Sequence, residues 1–239
     1  MCTLEKRGGL FILTLTGDDQ HRLNPTLISS ILSALSKAKA QSTSGSALIT
    51  TAQGRFFSNG FDLGWAQSAG SKKGAQERLS QLVELLKPVV AALINLPMPT
   101  FAAITGHAAA AGFILALSHD YVIMRRDRGV LYMPEVDIGL TIPDYFDALF
   151  RGKIGAASTR RNMLLRGLKM KGDEAEKRGI VEAAYDSEGE VQEASVRMAE
   201  DLAKRKWDGD VYAEIRKGLY PELCAKLGLT TKAYATPRL

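Results

Sequence analysis

The sequence predicts an α/β fold, because short apolar β-rich segments alternate with amphipathic helices in the first half and helices follow in the second. Residues 10–15, LFILTL, are an apolar run between two glycines, which is typical of a strand. Similar runs at 46–51, 100–105, 121–124 and 130–133 are the other predicted strands.

Helices are predicted where apolar residues recur at spacings of three and four. One such pattern lies near 27–35, and a longer one near 77–96 ends at Pro97. The alanine-rich segment 108–117 is also predicted to be helical. The second half adds predicted helices at 158–165, 173–178, 191–206 and 211–227.

The bulk composition is that of an ordinary globular protein, with 239 residues, 46% hydrophobic and 24% charged. The net charge of +5 is too diffuse to indicate nucleic-acid binding, and either attraction of an anionic ligand or simple solubility explains it. Cys2 and Cys224 have no metal-ligand spacing, so neither a zinc site nor a disulfide framework is indicated. The longest apolar stretch, 100–117, is rich in alanine and is predicted to be buried in protein, not membrane.

The first segment with chemical interest is 55–63, RFFSNGFDL, which follows a predicted strand. Gly60 allows the backbone there to expose the next N–H group without a Cβ in the way. An ordinary tight turn explains the same residues.

The second segment is 104–113, ITGHAAAAGF, which runs from a predicted strand into a predicted helix. Its small side chains would leave N–H groups at the helix N-terminus open to a ligand. It is not a phosphate loop, because Phe113 follows the glycine where a lysine would stand. The alanines also permit close helix packing, and both interpretations hold together.

The third segment is 133–140, MPEVDIGL, where Glu135 follows a predicted strand among apolar neighbours. Loss of solvent around such a carboxyl would raise its pKa, which suits a general base near neutral pH. A structural ion pair with Arg125, Arg126 or Arg128 is the alternative.

These segments, in this order, resemble the blocks of the enoyl-CoA hydratase/isomerase (crotonase) family: FSNGFDL, GHAAAAGFILALSHD and MPEVDIGL. The resemblance implies a crotonase (ClpP/crotonase-like) spiral of ββα units over residues 1–190. It further implies a helical C-terminal region, residues 191–239, that carries the targeting tail and mediates assembly into a homotrimer or hexamer.

The resemblance also implies an acyl-CoA site. The thioester oxygen would accept hydrogen bonds from the backbone N–H groups of Phe61 and Ala111. The implied substrate-binding residues are Arg55, which is expected to meet the CoA phosphates, and Phe57, Ser58, Asn59, Gly60, Asp62, Gly106, Ala110 and Ile114. No metal ion or redox cofactor is implied, because CoA arrives as part of the substrate.

One departure from the family pattern favours isomerisation. Hydratases of this family position a water with two glutamates, and Ile114 stands where one of them is expected. With Glu135 as the remaining base, the implied reaction shifts a 3-enoyl-CoA double bond to trans-2. Asp144 is a rival base with a side chain one methylene shorter. Hydration, thioester hydrolysis and non-catalytic acyl-CoA binding are the alternatives.

The last three residues, Pro237-Arg238-Leu239, resemble the Ser-Lys-Leu signal that directs proteins into peroxisomes. We predict that a fluorescently tagged chain enters peroxisomes through the import receptor for this signal. Deletion of the tripeptide should leave the protein in the cytosol, as judged by microscopy. A peroxisomal location that survives the deletion would contradict this route of import.

Overall fold

Two sheets organise the fold, and the computed structural model describes residues 1–232 of it. The first sheet has six strands, of which the first pair is antiparallel and the remaining pairs are parallel. In spatial order its strands are β1 (Cys2–Arg7), β2 (Leu10–Leu15), β3 (Ala47–Ala52), β5 (Thr100–Ile104), β7 (Tyr121–Arg125) and β9 (Ala183–Tyr185).

The second sheet is small, parallel and three-stranded. Its strands β4 (Phe56–Ser58), β6 (His107–Ala109) and β8 (Leu131–Tyr132) follow β3, β5 and β7 along the chain. Three strands of the large sheet, β3, β5 and β7, are therefore each followed by a strand of the small sheet and then by a helix. This repeat is the predicted spiral of ββα units.

Eleven helices complete the described residues: α1 (Pro25–Ala40), α2 (Leu63–Gln67), α3 (Lys72–Ile94), α4 (Ala111–Leu117), α5 (Glu135–Ile138), α6 (Asp144–Lys153), α7 (Ala157–Arg166), α8 (Gly172–Lys177), α9 (Glu188–Ala203), α10 (Gly209–Leu219) and α11 (Pro221–Leu227). Side-chain caps fix several starts, as where Asn24 accepts from the Leu27 N–H before α1. No helix within residues 1–232 is long and apolar enough to cross a membrane.

The core lies on both faces of the large sheet. Strands β3 and β5 are buried along their whole length, as expected for parallel strands covered on each side. Helices α1, α3 and α4 contribute to the main apolar cluster, and α9 covers the other face. The division at residue 190 stays a prediction, since α9 begins at Glu188 and packs on the same sheet.

The structure corrects two predicted helices. Segment 108–117 begins as the strand β6, and its helix starts only at Ala111, because Ala108 and Ala109 pair with β8. Segment 211–227 is two helices, α10 and α11, which meet at Tyr220. Pro221 disfavours a helical conformation at the preceding residue, and Tyr220 has ψ +57°.

Arg216 of α10 ties the C-terminal helices to the sheets. Its buried guanidinium pairs with Asp120 at 2.6 Å and donates to the carbonyl groups of Leu96 and Met98, both at 2.6 Å. Asp120 in turn accepts from the Thr100 N–H at 2.9 Å, at the start of β5. One buried ion pair thus joins α10, the end of α3 and two strands.

We predict that Arg216→Met lowers the free energy of unfolding by about 3–5 kcal/mol, because it leaves the Asp120 carboxylate buried without its partner. Arg151→Met is the matched control, since Arg151 forms exposed ion pairs with Asp147 and Glu222. It should cost no more than about 1 kcal/mol. Urea denaturation at one fixed protein concentration measures both, and equal losses would contradict the proposed role of Arg216.

Candidate active site

The loop after β4 turns at Gly60, which has φ +75°, a conformation that L side chains rarely adopt. The carbonyl of Gly60 accepts from the Leu23 N–H at 2.8 Å, and the Asp62 N–H donates to Leu23 O at 3.1 Å. Within the described chain, the intervening Phe61 N–H has no hydrogen-bond acceptor. It is free to bind a ligand.

The second loop, after β6, turns at Ala110, a residue with φ +51° and ψ −129°. Holding a residue with a Cβ in such a conformation costs about 1–3 kcal/mol. The Ala110 N–H is held by the carbonyl of Tyr132 at 3.0 Å. Ala111 then opens α4, and its N–H also lacks an acceptor in residues 1–232.

The two loops are in direct contact because β4 and β6 are parallel neighbours. A Cβ placed on Gly60 would lie 2.9 Å from Ala110 Cβ and 3.4 Å from Ala111 N. A Cβ on Gly112 would collide with the backbone carbonyl of Ser58. The free N–H groups of Phe61 and Ala111 therefore belong to two backbones that only glycine lets approach this closely.

Glu135 is the first residue of α5, directly after β8 and Pro134. It is buried, with 7% of its surface exposed, and its Oε2 atom has no hydrogen-bond partner among residues 1–232. Burial raises the pKa of Glu135 to about 7. Glu135 and Phe61 line the same cavity of about 420 Å³, whereas Ala111 and Ile114 are not among its lining residues.

Asp144, the rival base, lies at the rim of the same cavity. Its side chain is 60% exposed and pairs with Lys226, with 3.2 Å between Nζ and Oδ2. The hydrogen bond from Lys226 lowers the pKa of Asp144. This carboxylate is therefore solvated and already paired, in contrast to Glu135.

Several predicted binding residues have structural roles around the first loop. Phe57 and Ser58 are fully buried, and the Ser58 hydroxyl donates to His21 O at 2.8 Å. The Asn59 side chain donates to Gln20 Oε1 at 2.9 Å. Asp62 caps α2 by accepting from the Trp65 N–H at 3.0 Å.

Ile114 lies in α4, one turn after Ala110, and is fully buried in the main apolar cluster. A methyl-bearing side chain at this position cannot hydrogen-bond a water. The position predicted to distinguish the subfamilies is therefore apolar and sealed from solvent.

Arg55 and Gly106 are not brought to the Glu135 cavity. They line a second cavity of about 620 Å³, together with His107, Arg125 and Arg128 among others. Arg55 also covers the ring of its neighbour, with 5.6 Å from the guanidinium to the ring centroid. These residues precede β4 and β6, whereas Phe61 and Ala111 follow them, so the two groups lie at opposite ends of the small sheet.

Most of the cavity wall was not predicted from the sequence, and it comes from α3, from the residues between α5 and α6, and from the start of α6. These lining residues are Gln76, Leu79, Ser80, Val83, Glu84, Leu140, Thr141, Pro143, Tyr145 and Phe146. Leu79 and Val83 belonged to the predicted apolar stripe of α3, which had no feature to separate cavity-lining positions from core positions. Helix α6 was not predicted at all.

A family comparison agrees with this geometry. The sequence model described as enoyl-CoA hydratase/isomerase matches residues 5–232. The chain belongs to the enoyl-CoA hydratase/isomerase family. The matched residues span both sheets and the C-terminal helices.

Among similar members of the enoyl-CoA hydratase/isomerase family are proteins of Arabidopsis thaliana. "Enoyl-CoA delta isomerase 2, peroxisomal" is 68% identical over 240 residues and covers 100% of both chains. "Enoyl-CoA delta isomerase 3" is 62% identical, again with 100% coverage of both. An apo structure of a Mycobacterium tuberculosis enoyl-CoA isomerase shares the fold, with TM-score 0.83, 19% identity and coverage of 95% of this chain and 94% of that one.

We predict that Glu135→Gln makes the protein more stable at pH 8. The folded-state pKa of about 7 lies above the ordinary value of 4.5, so the stability associated with the protonated carboxyl is present below 4.5 and lost as pH rises through 7. Glutamine cannot ionise and avoids this loss, which is about 3 kcal/mol at most.

The measurement is denaturant unfolding of both proteins between pH 5 and pH 8. The difference in their free energies of unfolding should become smaller toward pH 5. Asp144→Asn serves as the control, because that carboxylate is exposed and paired and should give no gain at pH 8. If Glu135→Gln is no more stable than the wild type at pH 8, the carboxyl is solvated and the description of the site is wrong.

Proposed function

We propose that the protein is a Δ3,Δ2-enoyl-CoA isomerase, which converts 3-enoyl-CoA into trans-2-enoyl-CoA in fatty-acid β-oxidation. The observation that carries the proposal is that Glu135, with an unpartnered Oε2 atom, lines one cavity together with Phe61, whose N–H group is unpaired among the described residues. The unpaired Ala111 N–H belongs to the loop that packs against Gly60, next to Phe61. The Arabidopsis relatives are named enoyl-CoA delta isomerases, which supports the same reaction.

The reaction begins when the thioester oxygen accepts hydrogen bonds from the Phe61 and Ala111 N–H groups. These donors stabilise the negative charge that develops on the oxygen as C2 loses its proton, and each such donor is worth about 3–4 kcal/mol. Both donors are preorganised, because neither has to break a bond within the protein before it binds the oxygen.

Glu135 removes the proton from C2 and returns it to C4, so the double bond moves without any net gain or loss of atoms. One carboxyl suffices, since it ends the reaction as it began. A pKa of about 7 keeps the proton affinity of Glu135 close to neutral pH, which favours both the removal and the return of the proton.

Hydration requires a second polar group to hold the attacking water, and Ile114 provides none. Asp144 could replace Glu135 as base only by leaving its ion pair with Lys226 and its solvent. Both facts support isomerisation with Glu135 as the single base.

The remaining proposals concern location and assembly. Two of the Arabidopsis relatives are named peroxisomal, which supports a peroxisomal location for this chain. Pro237-Arg238-Leu239, the proposed ligand of the import receptor, lies outside the described residues. We further propose a homotrimer or hexamer, and a reaction that uses no metal ion or cofactor beyond the CoA of the substrate.

The test is an assay of purified protein with 3-hexenoyl-CoA, in which conjugation of the thioester is followed by absorbance. Glu135→Gln should reduce kcat by about 10²- to 10⁴-fold, the usual contribution of a general base. For the wild type, kcat/KM should rise with pH and level off above about 7, because Glu135 must be ionised to accept the proton.

Hydration of trans-2-hexenoyl-CoA should be negligible in the same preparation. Hydration at a rate comparable to isomerisation would assign the protein to the hydratases. If Glu135→Gln keeps wild-type turnover and Asp144→Asn loses it, Asp144 is the base. Binding without conversion of either substrate would indicate a non-catalytic acyl-CoA binder.

A further inference from the structure

The loop that presents the Phe61 N–H is held from outside the sheet by residues 19–23. The Phe56 N–H donates to Asp19 O at 3.0 Å, and the Asn59 N–H donates to Gln20 O at 2.8 Å. Leu23 binds both neighbours of Phe61, as described above. The segment thus contacts the loop along its length and leaves the Phe61 N–H without an acceptor.

His21 is at the centre of this segment and makes two hydrogen bonds to the strand that leads into the loop. Its Nδ1 atom lies 2.9 Å from Phe56 O, and because a carbonyl only accepts, Nδ1 carries the proton. Its own carbonyl accepts from the Ser58 hydroxyl at 2.8 Å. The imidazole therefore binds β4 at its first residue, and the His21 carbonyl binds its last residue, Ser58, two positions before the turn at Gly60.

Two features of His21 are unfavourable for stability. Its φ of +45° places a residue with a Cβ in the left-handed region, and its side chain is only 3% exposed. The Nε2 atom is buried without a partner among the described residues. Strained and unsatisfied groups that persist beside a catalytic loop indicate a functional constraint.

We propose that His21 is a positioning residue, which fixes the β4 loop so that the Phe61 N–H points at the thioester oxygen. This inference rests on the proposed function. His21 is not among the residues that line the cavity of Glu135. It acts through the backbone of Phe56 and Ser58, and through them on the loop that ends at Phe61.

The proposed role affects kcat more than KM. The oxygen carries most negative charge in the enolate-like transition state, so a misplaced donor weakens that state more than the bound substrate. A displacement of about 1 Å at a catalytic group costs about 100-fold in rate. A residue with a purely structural role would instead change the fraction of folded protein.

His21→Gly and His21→Asn separate the hydrogen bond from the backbone conformation. Glycine accepts φ +45° without strain but has no donor. Asparagine tolerates positive φ, and its amide N–H₂ can replace Nδ1 as donor to Phe56 O. We expect His21→Gly to lower kcat at least about 10-fold with little change in KM, and His21→Asn to restore most of it.

The second readout is the infrared carbonyl stretch of bound hexanoyl-CoA labelled with ¹³C at the thioester carbon. A saturated chain has no double bond to shift, so the probe stays intact. In the wild type, the two N–H donors should move the stretch to lower frequency than in water. His21→Gly should lose part of this shift in frequency, and His21→Asn should keep it.

His119→Ala is the matched control, because His119 is also buried and hydrogen-bonded, to Thr50 Oγ1 at 2.7 Å and Leu115 O at 3.0 Å. It should lower the melting temperature and leave kcat and the carbonyl stretch of the folded enzyme unchanged. If His21→Gly does not fold, Ser58→Ala tests the same attachment of residues 19–23 to β4, because it removes the hydrogen bond from the Ser58 hydroxyl to His21 O.

The outcomes distinguish the two proposals. A wild type that shifts the carbonyl stretch but does not isomerise 3-hexenoyl-CoA contradicts the proposed function, and the positioning role is then supported if His21→Gly loses the shift and His21→Asn keeps it. An active wild type whose His21→Gly variant keeps both kcat and the shift of the carbonyl stretch overturns the role of His21. A loss of stability alone, like that of His119→Ala, overturns it as well.

Discussion

The close approach of two backbones on the small sheet is the constraint on which the site depends. Because β4 and β6 are parallel neighbours, the turn at Gly60 and the turn at Ala110 leave the sheet at the same edge. Glycine at 60 and 112 is required by contact with the opposite backbone, and Ala110 accepts an unfavourable φ. The cost of these conformations is offset by the rest of the fold, which is how strain persists at functional sites.

Desolvation is the second determinant of the site, and it opposes stability. The same apolar surroundings that raise the pKa of Glu135 to about 7 make its ionised form unfavourable in the folded protein. Asp144 shows the alternative within one cavity, since solvent and Lys226 stabilise its charge and lower its pKa. General bases work best when their pKa lies near the operating pH, and the first environment moves a carboxyl toward that range while the second moves it away.

The sequence predicted the long elements well, because β3, β5 and α3 have clear apolar patterns. The strands of the small sheet were harder to predict, because three residues are too few to show a period. The alanines of β6 also have no preference for β structure. The role of His21 had no signal at all, because its segment, GDDQHRLNP, is polar and has no period. The pairing of Arg216 with Asp120 could not be predicted from the sequence pattern either, because the two residues are far apart in the chain.

The position of the site follows from the topology once the three ββα units are recognised. The small sheet is parallel, so β4, β6 and β8 all end at one edge, and Phe61, Ala111 and Glu135 each come from the residues that follow one of them. In the proposed reaction the first two units each supply a backbone N–H, a group that every residue except proline carries. In the proposed mechanism the third unit supplies the reacting side chain, Glu135, and Ile114 of the second unit is the position that bears on isomerisation or hydration.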